Sequence, residues 1–279
     1  MSSLLRIRQL YPRLALNERR LADFLLSQPD RARHLSSQKL AEESGVSQSS
    51  VVKFAQKLGY KGFPALKLAL SESLADRDAI TVHNHILSDD PLKVVGEKLL
   101  TEKISAIRAT LDINSEEKLT ETLQLLKNAN RILLVGIGAS GLVAKDFSWK
   151  LMKIGINAVA EQDMHALLAS VQAMAPGDVL LAISYTGERR EINLAAQEAA
   201  AIGADVLAFT GFTPNSLQQC ATVCLYTVAE EQSTRSAAIS STSAQLALTD
   251  LLFMALVQND PERASSHIRH SEELVKKLV

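Results

Sequence analysis

A chain of 279 residues, 47% apolar and 22% charged, has room for two packed domains and the ordinary composition of a globular protein. No stretch of 18 or more uncharged apolar residues occurs, and Arg6, Arg8 and Arg13 interrupt the N-terminal segment, so the chain reads as neither a membrane span nor a signal peptide and is expected in the cytoplasm. Cys220 and Cys224 are too few for a disulfide framework or a four-ligand zinc site, so neither a metal nor another cofactor is expected.

The formal net charge of −1 conceals an asymmetry. Residues 1–77 carry 13 Lys/Arg against 7 Asp/Glu, and the remainder carries 17 against 24. A basic first segment on an acidic body suits contact with a polyanion.

In chain order, Asn17–Leu26 has the spacing of a helix with one buried face, and Pro29 ends or restarts it. In residues 36–59, Ser36 or Ser37 can cap a helix carrying Leu40 and Ala41 inward. Gly45 falls where a tight inter-helix turn needs a positive φ, and Ser47 caps a second helix with a stripe of Val51, Phe54, Ala55 and Leu58. This pattern predicts a helix-turn-helix. Ser37 and Gln38 on the first helix, and Ser47, Gln48, Ser49 and Ser50 at the start of the second, are the candidates to meet double-stranded DNA, with Lys53 and Lys57 set to reach phosphates. A helix over Ala65–Leu74 closes this domain, placed at 1–77.

Residues 78–91 lack periodicity and read as a linker, in which the pair His83 and His85 is expected to be solvated rather than metal-bound. Residues 92–279 form the second domain. Two amphipathic helices, 92–111 and 115–128, lead into an apolar run, Ile132–Val135, suited to a strand buried on both faces. That run breaks into Gly136-Ile137-Gly138-Ala139-Ser140-Gly141 and a helix. Close backbone approach, free N–H groups and a helix start make this an anion site. Strands follow at 156–160, 178–183, 206–210 and 223–228, alternating with helices, with a last apolar helix at 240–257. The fold class is therefore α + α/β: an all-helical N-terminal domain, then a doubly wound, five-stranded parallel sheet flanked by helices.

The third strand opens into Ser184-Tyr185-Thr186-Gly187-Glu188. Ligands of open parallel sheets bind off the carboxyl edge of the strands, so Gly138, Ala139, Ser140 and Gly141 are expected to share one phosphorylated ligand with Ser184–Glu188. Two alternatives compete. Gly136, Gly138 and Gly141 match a dinucleotide fingerprint, with Glu161 placed as a ribose-binding acid. An aldose–ketose isomerase would instead draw an acid and a base from Glu188, Glu230, Glu231 and His165, which show no diagnostic spacing.

These stretches resemble the RpiR-type bacterial transcriptional regulators, which join a helix-turn-helix to a sugar isomerase (SIS) domain. SSQKLAEESGVSQSSVVKFAQKLGYKGFPALK is similar to the family's DNA-binding stretch, GIGASGLVAKDFSWKL to its first sugar-phosphate loop, SYTGERREINLAAQEAAAIGADVLAFTG to its second, and RSAAISSTSAQLALTDLLFMAL to its last helix. The resemblance implies that Ser140, Ser184 and Thr186 hold the phosphate of a sugar effector, with Arg235 and Ser236 nearby. It also implies a homodimer or homotetramer on a palindromic operator, and a regulator rather than an enzyme.

Overall fold

The computed structural model describes residues 3–75, 81–229 and 238–278; Glu230, Glu231, Arg235 and Ser236 lie outside them. The described residues divide into two compact units, one of residues 3–105 with Val228 and Ala229, the other of 106–227 and 238–278.

The first unit begins with α1 (Ser3–Leu10), α2 (Leu16–Ser27), α3 (Pro29–Ala32), α4 (Ser37–Ser44), α5 (Gln48–Lys57) and α6 (Phe63–Ala75). α4 and α5 are the expected helix-turn-helix. Ser36 Oγ accepts from Lys39 N, Ser47 Oγ accepts from Ser50 N, and Gly45 turns the chain at φ 65°. Leu40, Ala41, Val51, Phe54, Ala55 and Leu58 are all buried, so the stripe read from spacing is the core. α1, which the sequence reading passed over, buries Ile7 and packs against α6.

Residues 81–87, read as linker, form a small antiparallel hairpin of β1 (Thr81–His83) and β2 (Ile86–Leu87). His83 is not solvated: its Nε2 lies 3.2 Å from Glu102 Oε1 on α7 (Leu92–Ile113), and Asn84 Nδ2 donates to the same oxygen at 2.6 Å. Lys98 holds Asp90 from the next turn of that helix. An alternating TVH–IL pattern too short to stand out from a loop hid this hairpin; its tie to one carboxylate is long-range.

The second unit runs α8 (Glu116–Asn128), β3 (Ile132–Gly136), α9 (Ala139–Lys153), β4 (Ala158–Glu161), α10 (Met164–Gln172), β5 (Val179–Ser184), α11 (Arg190–Ile202), β6 (Asp205–Gly211), a 3-10 turn (Ser216–Gln219), β7 (Val223–Thr227), α12 (Ile239–Asn259) and α13 (Pro261–Lys276). The five strands are parallel in the order β4-β3-β5-β6-β7. One face packs Ile132, Leu134, Leu181, Ile183 and Phe209 against Leu126 of α8, Val143, Phe147 and Leu151 of α9, and Leu248 and Leu252 of α12. The other packs Leu133, Leu180, Ala182 and Val206 against Leu167 of α10 and Ile192, Ala195 and Ala199 of α11. Burial on both faces is why these strands read as continuous apolar runs. By length and composition alone α12 is apolar enough to cross a membrane, but Leu248 and Leu252 are spent on the sheet. α13, with Ala264 buried, follows where the sequence reading stopped.

In the first unit an ion pair joins α2 to α5: Lys57 Nζ lies 2.7 Å from Glu18 Oε2. Burial pushes the Glu18 carboxyl up, but hydrogen bonds from Lys57 and the Ala15 N–H outweigh it and hold the group below its usual range. A carboxyl depressed by folding stabilises the fold above its unfolded pKa and loses that contribution as pH falls through the folded value. Acid titration followed by circular dichroism should therefore show the headpiece losing stability below about pH 4, and Glu18→Gln flattening that loss, by under about 1 kcal/mol for so exposed a pair. An identical acid limb in Glu18→Gln would refute the assignment.

Candidate functional site

β3 and β5 are neighbours in the sheet, with Gly136 in register with Ile183. Both strands run the same way, so the turns that follow them leave one edge side by side. From β3 the chain passes through α9 on one face to β4; from β5 it passes through α11 on the other face to β6. The opening between two such diverging connections is where doubly wound sheets take their ligands.

In the first turn, each glycine answers a steric demand. A Cβ on Gly136 would lie 2.6 Å from the Ser140 carbonyl, and one on Gly141 would lie 2.7 Å from the Gly136 oxygen, so the helix start rests directly on the strand end. Gly138 turns at φ 61° with nothing within 4 Å of its missing Cβ. Neither α9 nor α11 has a side-chain cap at its start, nor has α12, whereas Ser115 caps α8 and Asp163 caps α10. The N-terminal N–H groups of the two helices flanking the opening thus keep their positive potential for an anion.

The second turn is held from outside. Ser184 is buried at the end of β5, opposite Thr210 of β6. The Tyr185 carbonyl accepts from Gly211 N at 2.9 Å. Thr186 is exposed, and its Oγ1 lies 3.4 Å from Glu188 N. Gly187 turns at φ 66° against Asn215, and its carbonyl accepts from Asn193 Nδ2 at 3.1 Å and from Leu217 N at 3.1 Å. Glu188 accepts from Ser216 Oγ and Ser216 N at 2.6 and 2.9 Å, which hold its carboxyl below the usual range. An acid catalyst needs the opposite shift.

Four polar residues enter here that the sequence reading did not single out. Gln245 of α12 is 1% exposed; its Oε1 accepts from Ser140 Oγ at 3.4 Å, and its Nε2 has no partner. Thr210 Oγ1, Thr227 Oγ1 and Asn193 Oδ1 are likewise buried and unpaired. Thr210 and Thr227 lie at the carboxyl ends of their strands, and Asn193 props the second turn. Buried polar atoms of this kind are satisfied by water or by a ligand. Their only sequence signal is a lone polar residue in an apolar run, which any helix or strand can carry.

Glu161, the candidate ribose acid, is committed to its own turn: its Oε1 accepts from Gln162 N and Asp163 N at 2.8 and 2.9 Å. His165 stands exposed in the first turn of α10, after β4.

In the headpiece Gln38, Ser47, Gln48 and Ser49 are exposed, and Ser37 and Ser50 half-buried, at the starts of α4 and α5, while the exposed Lys53 lies midway along α5 and the exposed Lys57 at its end. The Ser49 and Ser50 hydroxyls both lie within hydrogen-bond distance of Ser47 Oγ, and Gln48 Nε2 donates to Ser37 Oγ at 2.8 Å. Lys57 is occupied by Glu18, leaving Lys53 the freer cation of the two.

A helix-turn-helix headpiece and a doubly wound domain with two hydroxyl-bearing turns at its switch point define a transcriptional regulator with a sugar-isomerase-type second domain. The rpiR-family helix-turn-helix domain matches residues 1–77 and the SIS domain matches residues 125–255, and the chain belongs to the RpiR family of regulators. It is 66% identical over 282 residues, the full length of both chains, to the HTH-type transcriptional regulator YfhH of Escherichia coli (strain K12). Among solved structures, the Vibrio vulnificus NanR protein complexed with ManNAc-6P aligns over 100% of this chain and 99% of its own, at 23% identity and a TM-score of 0.66. The sugar isomerase domain of an RpiR transcription factor from Sphaerobacter thermophilus aligns over 64% of this chain and 98% of its own, at 20% identity and a TM-score of 0.59. These two likenesses establish the fold.

Gly187→Ala would put a methyl group into Asn215 at a left-handed φ, costing about 1 kcal/mol or more and displacing the second turn. Calorimetry should show the second unit melting lower, with the headpiece transition unmoved. Melting of Gly187→Ala at the wild-type temperature would mean that the turn has room for the added methyl group.

Proposed function

We propose that this regulator binds operator DNA through the starts of α4 and α5 and takes a phosphorylated sugar between the turns after β3 and β5. Binding at the second site alters affinity at the first. Gly138, Ala139, Ser140 and Gly141 wrap the phosphate from one side, with backbone N–H groups and the Ser140 hydroxyl donating. Ser184, Thr186 and Gly187 close it from the other, with Tyr185 and Glu188 shaping the turn. The observation that carries this reading is the register of Gly136 with Ile183, which sets the two turns side by side in front of uncapped helix starts. The ManNAc-6P held by the NanR protein is a precedent of the same ligand class.

The protein acts in the cytoplasm as a homodimer or homotetramer on a palindromic operator, since a two-fold pair of headpieces reads two half-sites. It is a sensor rather than an isomerase. Glu188 is locked to Ser216 in its ionised form, and a headpiece of this kind serves no purpose in sugar isomerisation. The ligand shifts DNA affinity only by binding one arrangement of the assembly better than another.

A thermal-shift screen of hexose, hexosamine and pentose phosphates should find one class that raises the melting temperature, as any ligand confined to the native state must. Ser184→Ala should abolish that shift and the ligand's effect on a gel-shifted operator, while leaving DNA binding intact. A response that survives in Ser184→Ala would put the pocket elsewhere, and turnover of the sugar phosphate would make the protein an isomerase.

Gln48→Ala should weaken operator binding by about 1–3 kcal/mol, the value of a lost base contact, and leave the ligand-induced thermal shift unchanged. An unaltered gel shift would remove α5 from the interface.

A further inference from the structure

At the front of the headpiece one contact has a consequence for which base is read. α4 and α5 each start behind a serine cap, Ser36 and Ser47, so their first backbone N–H groups are already partly served by side chains. The hydroxyls of Ser49 and Ser50 are turned to Ser47 Oγ, at 2.9 and 2.8 Å. The exposed group at this corner that spans the two helices is the Gln48 amide, whose Nε2 donates to Ser37 Oγ at 2.8 Å.

A glutamine amide has two N–H donors and one carbonyl acceptor. With one N–H given to Ser37, it presents one donor beside one acceptor. That pair complements the major-groove edge of adenine, which offers N7 as acceptor and N6–H as donor. Guanine offers two acceptors there, O6 and N7, and an amide with a single free N–H cannot satisfy both. The Ser37 hydroxyl, serving as acceptor for Gln48, keeps its own proton for a phosphate oxygen.

We propose that Ser37 is a positioning residue that fixes the Gln48 amide for adenine, so that each operator half-site carries an A·T pair read by Gln48. The inference rests on the DNA-binding reading above. Holding the amide before contact spares its ordering on binding, and a Ser37 hydroxyl whose proton goes to a phosphate oxygen is left to accept from Nε2 rather than donate to Oε1, so the tie contributes selectivity more than affinity.

The test is selection from randomised duplex DNA by the full-length protein, followed by affinity measurement at each enriched position. Wild type should enrich a half-site with one adenine favoured over guanine by about tenfold or more. Gln48→Ala should lose that preference alone. Ser37→Ala should relax the same position several-fold and leave the preferences elsewhere in the site, with the slope of log affinity against log salt changed by at most about one phosphate contact. Ser37→Thr, which keeps the acceptor, should restore the preference. An unchanged adenine preference in Ser37→Ala, or a guanine at the Gln48-dependent position, overturns the proposal. Failure of the wild-type protein to enrich any sequence overturns the DNA-binding reading beneath it.

Discussion

The second unit depends on one constraint: β3 and β5 are hydrogen-bonded neighbours whose onward chains depart to opposite faces of the sheet. Parallel strands joined by helices have right-handed crossovers, so a chain that first builds outward to β4 and then returns past β3 to β5 must change faces. In doubly wound sheets, such a change of face opens a crevice at the carboxyl edge. Gly136 and Gly141 let α9 close down on the end of β3, and Phe147 and Leu151 then bury that helix against the sheet. Lys150 bridges Asp146 and Asp250, tying α9 to α12 on its outer side. A rigid scaffold thus presents two short turns whose positive-φ positions are taken by glycine, Gly138 and Gly187, at no steric cost.

The two units treat their helix starts differently, and the difference suits the two roles proposed for them. In the headpiece the serine caps Ser36 and Ser47 occupy backbone donors, which leaves discrimination to side chains such as Gln48. In the second unit α9 and α11 start uncapped, and it is the backbone itself that is left to attract charge. Base recognition needs a pattern of donors and acceptors, whereas phosphate recognition needs converging donors and a positive field. On the proposed reading, the neutral hydroxyls of Ser140, Ser184 and Thr186 add further donors for the phosphate.

Much of this was legible in the chain. The helix-turn-helix could be read because each of its structural positions carries a residue with few alternatives: Gly45 at positive φ, Ser47 as cap, and Val51, Phe54, Ala55 and Leu58 at helical spacing. The three central strands, β3, β5 and β6, could be read because burial on both faces makes them almost wholly apolar, whereas the edge strands β4 and β7 are only partly buried. Which strands pair could not, since register and order are set by packing between distant segments; the juxtaposition of Gly136 and Ile183 needed coordinates. Hidden too were ties made across long stretches of chain: His83 to Glu102, Lys57 to Glu18, and Ser140 to Gln245. His83 shows the risk, because its neighbourhood of acids, Asn and Pro is loop-like while its partner sits on the next helix. α1 is a short helix of eight residues, and α13 is a mostly polar one that buries only Ala264, so neither offers a wide apolar stripe to weigh.

The central claim is that two turns from different strands grip one small anion. It is tested most directly by titrating isotope-labelled protein with the sugar phosphate that stabilises it and following the backbone amide resonances of Gly138, Ser140, Thr186 and Gly187. The account predicts that both turns shift together along a single saturable curve. Shifts confined to one turn, or centred elsewhere in the sheet, would contradict it.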